Sequence, residues 1–226
     1  MNRRDALRLG ALMVAALLAP HLAQASTADA AAVWFEAATR GDLPQLQRLA
    51  AAGVPIDQRD GAGRTALLRA TAANRLEAAR WLIERGADVN AKDAIDDSPY
   101  LLAGARGRTG ILRLTLAAGA DLRSTNRYGG TALIPAAHYG HVETVRLLLG
   151  TAVDVNHVNR LGWTALLEAI ILGDGGPAHT EIVRLLLAAG ARHDIADAHG
   201  VTPLAHARQR GQGANVALLQ AAGARQ

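Results

Sequence analysis

The sequence predicts an all-α solenoid of about six helix–turn–helix units joined by hairpin loops, and three observations lead to this prediction. A Thr or Ser followed by Ala or Pro recurs at positions 65, 98, 131, 164 and 202, with spacings of 33, 33, 33 and 38 residues. A Gly-Ala pair follows at a fixed distance in several copies, as at 86 and 119. Half of the residues are apolar but only seven are aromatic. Such a core is packed from small aliphatic side chains, which suits closely stacked helices.

The recurring residues suit the local backbone conformation that each part of the repeating unit requires. A Thr or Ser such as Ser98 caps the first helix, and Pro99 follows at the first helical position, where a missing N–H costs little. Leucine pairs such as Leu147-Leu148 fill the space between units. Glycines such as Gly86 end the second helix in the left-handed conformation. An Asp-x-x-Gly stretch, as at 60–63, turns the chain into the next hairpin.

These residues resemble the ankyrin repeat, whose pattern is D-x-x-G-x-T-P-L-H-x-A, then G-H, then L-L-x-x-G-A-D-V-N. The resemblance covers about residues 32–226 and implies an ankyrin-repeat domain over 26–226. We number the five copies that begin at residues 60, 93, 126, 159 and 197 as the first to fifth, and a degenerate amino-terminal unit precedes them. The outer two units are expected to act as caps. The predicted units are 27–59, 60–92, 93–125, 126–158, 159–196 and 197–226.

The fourth copy departs from the period, because its Gly-Ala pair comes five residues late. The extra residues are predicted to form a loop between its two helices, since the segment is too rich in glycine for a helix. Such a loop often carries function, although an idle surface insertion is the alternative. The loop residues are Gly173, Asp174, Gly175, Gly176, Pro177 and His179.

The first 25 residues are predicted to be a signal peptide. A head containing Arg3 and Arg4 precedes an apolar run over 9–19, and a small-x-small site predicts cleavage between Ala25 and Ser26. A buried amino-terminal helix is the alternative. The head also resembles a twin-arginine signal, although Ala6 replaces the usual Phe, so the twin-arginine and general secretion routes both stay open. The protein is expected in the periplasm, or secreted, with no membrane span in its mature form.

Charge and motifs point away from catalysis and nucleic acids. Loss of residues 1–25 leaves 21 basic and 19 acidic residues, which are scattered rather than clustered. The chain has no cysteine, and it contains no nucleophile elbow, zinc helix or phosphate-binding loop. Its histidines lack a carboxylate at ligand spacing. We therefore predict no enzyme activity, no cofactor, no metal and no nucleic-acid partner.

The remaining candidate is a protein-binding surface. The resemblance implies that partners meet the hairpin tips and the first-helix face of an ankyrin array. Exposed Tyr, Trp and Arg commonly carry binding energy at such surfaces. The alternative is that residues such as Tyr128 and Trp163 pack on the neighbouring hairpin and stiffen the array. The predicted contact residues are Ile95, Leu102, Arg127, Tyr128, His138, Tyr139, Arg160, Leu161, Trp163, Glu168 and Ile171.

The sequence therefore predicts a monomeric periplasmic protein that binds another exported protein. One version is an accessory or protective factor for an exported enzyme, such as an oxidative-stress enzyme. Another is an immunity protein against a toxic effector, although the near-neutral charge of the mature chain argues mildly against that version. A small-ligand site or enzyme using the 173–179 loop is a rival from a different class, and a purely structural spacer is a third.

Overall fold

The computed structural model describes residues 29–225, which form twelve helices. The predicted signal peptide and its cleavage site at Ala25 and Ser26 lie outside the described residues. The helices are α1 (29–40), α2 (Leu43–Ala51), α3 (Ala66–Ala72), α4 (Leu76–Glu84), α5 (Pro99–Ala105), α6 (Thr109–Ala117), α7 (Leu133–His138), α8 (Val142–Leu149), α9 (Ala165–Ile171), α10 (Pro177–Ala188), α11 (Pro203–Gln209) and α12 (Gly213–Ala221).

The helices form six antiparallel pairs stacked in two layers. In one layer, the first helix of each copy contacts the first helix of the next, in the order α3, α5, α7, α9 and α11. In the other layer, the second helices contact one another in the order α4, α6, α8, α10 and α12. Fully buried alanines on the first helices, such as Ala103, Ala136 and Ala169, allow this close approach. Gly104 allows a still closer one, because a Cβ there would lie 2.8 Å from the Cβ of Ala132. The predicted all-α repeat solenoid is confirmed.

Four of the five copies have the predicted cap. The hydroxyl oxygens of Thr65, Ser98, Thr164 and Thr202 each accept a hydrogen bond from the backbone N–H three residues later. This bond satisfies one of the helix-start N–H groups that have no partner within the helix. The third copy differs, since its Thr131 hydroxyl is buried without a partner.

The hairpin tips are closed by the first residue of each copy. In the fourth copy, the Oδ1 atom of Asn159 accepts from the backbone N–H groups of Leu161 and Trp163, at 2.9 and 3.0 Å. The Asn159 N–H in turn donates to the Trp163 carbonyl oxygen at 3.0 Å. The same arrangement recurs at Asp60, Asp93, Asn126 and Asp197. The tips are tight turns, and residues 29–225 contain no β-strand.

A further contact joins the helix–helix turns of neighbouring units. A side chain from one unit lies over a left-handed turn residue of the preceding unit and donates to a nearby carbonyl oxygen. Arg75 Nε donates to the Thr39 carbonyl oxygen at 3.0 Å, and Gln212 Nε2 donates to the Ile170 carbonyl oxygen at 3.0 Å. The His141 ring takes the equivalent place in the third copy. A Cβ at Gly107 would lie 2.7 Å from the His141 ring, so glycine is required beneath it. We call these interactions turn contacts.

The insertion in the fourth copy differs from the prediction at its carboxyl end. Pro177 begins α10 and His179 lies in its first turn, so the loop proper is 172–176. A proline at the first helical position explains this boundary, because its ring presets φ for a helix and its missing N–H would have no helical partner there. The helix can therefore start before the end of the glycine-rich segment.

The insertion is also held on both sides. His179 Nε2 lies 2.8 Å from the His138 carbonyl oxygen of the third copy, while its Nδ1 lies 2.8 Å from Asp174 Oδ1. From the fifth copy, Gln212 Nε2 donates to the Ile170 carbonyl oxygen at 3.0 Å. Because the insertion displaces the start of α10, His179 supplies the turn contact that the residue before the second helix supplies in other units.

Candidate functional site

A groove crosses one face of the second, third and fourth copies. Its volume is about 820 Å³, and it runs from the hairpin tips along α5, α7 and α9 to the turns that follow them. The lining residues are Asp97, Leu102, Ala105, Arg106, Arg108, Asn126, Arg127, Tyr128, Gly130, Ile134, Pro135, His138, Tyr139, His141, Asn159, Leu161, Glu168 and Leu172. We refer to this set as the groove.

The floor of the groove is apolar because two copies lack a polar side chain that the others have. Four residues after the helix cap, three copies carry a polar group that bonds to the first tip residue. Arg69 pairs with Asp60 at 2.6 Å, and His206 Nε2 lies 2.8 Å from Asp197. The second copy has Leu102 at this position and the third has Pro135. Two adjacent copies therefore present apolar side chains where the other three copies present polar ones.

Aromatic side chains stand at the edges of this floor. Tyr128 is 51% exposed and Tyr139 is 60% exposed. The Arg127 guanidinium lies 4.8 Å from the centre of the Tyr128 ring, and the His138 ring stacks on Tyr139 with centroids 4.1 Å apart. Both tyrosines are held in place by a neighbour yet remain open to solvent, as a contact residue requires.

One end of the groove contains a buried carboxyl group. Glu168 is 6% exposed, and its Oε1 atom accepts a hydrogen bond from Asn159 Nδ2 at 2.9 Å. Burial raises the pKa of Glu168 to about 7, and the Asn159 bond opposes this shift. His138 Nδ1 lies 3.7 Å from Glu168 Oε2, beyond hydrogen-bond distance, and burial lowers the pKa of His138. Glu168 is therefore only partly ionised near neutral pH, and protonation of His138 is disfavoured.

Arginines supply the fixed charge of the groove. Arg106 and Arg108 lie at the turn end and Arg127 lies at the tip end. Within residues 29–225, neither Arg106 nor Arg108 forms an ion pair, and Arg127 Nη1 stays 3.9 Å from Asp97 Oδ2. Burial raises the pKa of Asp97, with the Asp93 charge adding to the effect. These arginines keep most of their hydrogen-bonding capacity.

The structure brings seven of the eleven predicted contact residues into the groove: Leu102, Arg127, Tyr128, His138, Tyr139, Leu161 and Glu168. Leu102 and Glu168 are largely buried and form its floor rather than an exposed edge.

Four predicted contact residues lie outside the groove. Ile171 is 7% exposed because it packs at the end of α9, so its placement on an open face is corrected. Arg160 lies over the neighbouring tip and donates through Nη1 to the Arg127 carbonyl oxygen at 2.8 Å. Trp163 is only partly exposed, and Ile95 is exposed at the second tip away from the groove. None of the predicted 173–179 loop residues lines the groove either.

Sequence reasoning missed the arginines at the turn end and the apolar pair Ile134 and Pro135. The apolar floor of the groove could have been predicted from the sequence. Aligning the copies on their caps gives Arg69, Leu102, Pro135, Glu168 and His206 in one column, and the change from polar to apolar there marks the groove.

Between residues 29 and 225, no three His, Asp or Glu side chains are arranged to hold a metal ion. Over the same residues, no helix has both the length and the apolarity that crossing a bilayer requires.

Comparisons with known proteins agree with this architecture. Family models described as ankyrin repeats match residues 34–83 and 101–197. The ankyrin repeat protein YahD of Escherichia coli (strain K12) is 51% identical over 57 residues, which is 25% of this chain and 28% of that protein's length.

Solved structures extend the likeness to most of the chain. An ankyrin repeat domain from Acinetobacter baumannii AYE is 59% identical and superposes with a TM-score of 0.81, over 84% of this chain and 97% of that one. The ankyrin repeat protein EF0377 is 41% identical with a TM-score of 0.80, over 83% and 96% of the two chains. Ankyrin repeats generally mediate protein–protein interaction and are typically not enzymes. With its repeat period, its stacked helix pairs and these relatives, the chain belongs to the ankyrin-repeat family.

Proposed function

We propose that this protein works in the periplasm as an interaction module that binds another exported protein through the groove. The observation that carries the proposal is the apolar floor at Leu102 and Pro135, bordered by the exposed Tyr128 and Tyr139. Apolar patches bordered by polar residues commonly mark protein-binding sites, and Tyr and Arg are enriched among the residues that dominate binding energy.

The periplasmic location rests on the sequence of residues 1–25. A basic head, a short apolar run and the Ala25-Ser26 site favour export and cleavage. Amino-terminal sequencing of the protein recovered from a periplasmic fraction should begin at Ser26. An Arg3→Lys/Arg4→Lys variant separates the two export routes, because the twin-arginine route needs this pair. Protein that keeps residues 1–25 and stays in the cytoplasm would contradict the proposal.

Within that location, we favour an accessory or protective factor for an exported enzyme, with an oxidative-stress enzyme as one example. An immunity protein against a periplasm-acting toxic effector is the second candidate, favoured by the unpaired arginines along the groove, which suit an oppositely charged partner. The partner's identity separates the two. An accessory factor preserves the activity of its partner, whereas an immunity protein abolishes it.

The test is a pull-down from periplasmic extract of the source bacterium with the wild-type protein and a Tyr128→Ala/Tyr139→Ala variant. A matched control, Val33→Ala/Val158→Ala, removes two exposed apolar side chains outside the groove. Circular dichroism first confirms that all three proteins are folded. The proposal expects one partner that the wild type and control retain and the tyrosine variant loses. Equal retention by all three proteins would place binding elsewhere, and no retention would remove its main support.

A further inference from the structure

We infer that the groove takes a partner segment in which one apolar side chain is flanked on both sides by acidic side chains. This inference rests on the proposed protein-binding function and names the chemistry of the partner.

The first reason is the placement of charge at both ends of the groove. Arg127 stands at the tip end, while Arg106 and Arg108 stand at the turn end. Among residues 29–225, no carboxylate comes closer to any of the three than the 3.9 Å between Arg127 and Asp97. The side chains of Arg106 and Arg127 are exposed, so their guanidinium groups can bond an acceptor that a ligand supplies.

The second reason is that the acidic and basic groups of the groove are not balanced. Three arginines line the groove, but only two carboxyl groups do, Asp97 and Glu168, and burial raises the pKa of both. Burial lowers the pKa of His138 and of His141, which leaves both rings neutral. The arginines stay charged at any physiological pH. A nearly neutral protein therefore carries a positive groove.

The third reason is the spacing between the charged ends. The floor between them is apolar, formed by Leu102, Ile134 and Pro135. The helix α5 has seven residues, which corresponds to about 10 Å at about 1.5 Å per residue. An extended peptide covers that length in about three residues. An apolar side chain on the floor would therefore have its acidic neighbours within about two residues on either side.

Other occupants fit less well. A basic segment would bring its charges next to three arginines, and like charges at an interface are strongly unfavourable. A wholly apolar segment would cover the groove arginines without supplying an acceptor for their charges.

The test uses random dodecapeptides displayed on phage, selected at neutral pH and low salt against the purified protein. The same selection is run on an Arg106→Gln/Arg108→Gln variant and on an Arg113→Gln/Arg210→Gln variant. The second pair removes the same charge from two exposed arginines outside the groove. Synthetic forms of the selected peptides are then titrated against all three proteins and against Tyr128→Ala/Tyr139→Ala.

We expect the wild type and the Arg113/Arg210 variant to select peptides with Asp or Glu on both sides of a Leu, Ile, Phe or Trp. Binding should weaken about tenfold in the Arg106/Arg108 variant and fall with added salt. Peptides that need the tyrosines but show no acidic preference, or a basic one, would overturn the inference and leave the proposed function standing. Peptides that ignore the tyrosines, or no selected peptides at all, would overturn both.

Discussion

Pro135 stands four residues after Thr131, at the position whose backbone N–H bonds the carbonyl oxygen of the cap residue in other copies. In the fourth copy, the Glu168 N–H donates to the Thr164 carbonyl oxygen at 2.9 Å. Proline has no N–H, so the Thr131 carbonyl oxygen accepts from the Ile134 N–H at 3.2 Å instead. In the other copies, the N–H three residues after the cap residue donates to the cap hydroxyl, so this bond is lost at Thr131. The hydroxyl of Thr131 is consequently buried and unpaired.

This difference predicts unequal effects of the same substitution in two copies. Thr164→Val removes a working cap and should cost about 1 kcal/mol of unfolding free energy. Thr131→Val removes a hydroxyl without a partner and should be neutral or stabilising by up to about 1 kcal/mol. Urea unfolding followed by circular dichroism measures both. Equal losses for the two variants would show that the Thr131 hydroxyl does find a partner in solution.

The turn contact between the first and second copies is incomplete, and one residue explains it. Asn74 holds a left-handed φ of 55° at the turn position where the neighbouring units have glycine. Arg108, at the position that Arg75 and His141 hold in their units, has a buried Nε atom without a hydrogen-bond partner. Asn74→Gly should relieve the backbone strain and open space for the arginine to bond the turn. The free energy of unfolding should rise by about 1–2 kcal/mol, because the backbone strain is relieved and one hydrogen bond is added.

Asp96→Gly is the matched control for Asn74→Gly. Asp96 also holds a left-handed φ, at 63°, but it lies in a hairpin tip without a turn contact. The Asp96→Gly variant should gain at most about 1 kcal/mol of unfolding free energy, because only the backbone strain is relieved. Thermal and urea unfolding of both variants measure the difference. Equal gains would mean that glycine at 74 relieves strain without restoring the contact.

His179 is predicted to anchor the insertion. Its ring lies between Asp174 and the His138 carbonyl oxygen, each at 2.8 Å. His179→Ala should cost about 1–2 kcal/mol and speed amide hydrogen exchange at Gly175 and Gly176. His179→Gln should recover part of the loss, because a glutamine amide makes the equivalent contact at Gln212. Unchanged exchange in the alanine variant would indicate that the loop is held by its glycine-rich backbone alone.

The repeat architecture could be read from the sequence because each unit imposes the same local requirements. A cap hydroxyl, small residues on the first helix and a left-handed turn recur at spacings of 33 residues, or 38 across the insertion, so five weak signals reinforce one another. Glycine content alone predicts a loop through His179, but the preference of proline for the first helical position starts α10 at Pro177.

The groove was harder to predict, since burial depends on which neighbour a side chain meets. Trp163 and Arg160 lie in the same tip as Leu161, yet only Leu161 lines the groove. The Arg160 side chain instead lies along the preceding tip, with Cγ at 2.9 Å from a Cβ built on Gly129. Periodicity places all three residues in one loop but does not set the direction of each side chain.

The buried carboxyl of Glu168 makes a prediction about pH. Burial raises its pKa to about 7, from an ordinary value of 4.5, so the folded chain holds a proton that the unfolded chain releases. The wild-type protein therefore loses stability as the pH rises from about 5 to about 7, and this destabilisation persists above that range. Glu168→Gln keeps an oxygen that accepts from Asn159 but cannot ionise. The variant should match the wild type near pH 4 and exceed it by roughly 2 kcal/mol near pH 8.

Urea unfolding of both proteins across this pH range measures the difference directly. His138, whose own pKa is lowered by burial, is present in both proteins, so its titration largely cancels in the comparison. Parallel stability curves for the two proteins would mean that Glu168 ionises normally and that water reaches it through the groove. A gap that opens between about pH 5 and 7 would confirm that the wild type keeps a carboxyl group at the end of its groove at a cost in stability.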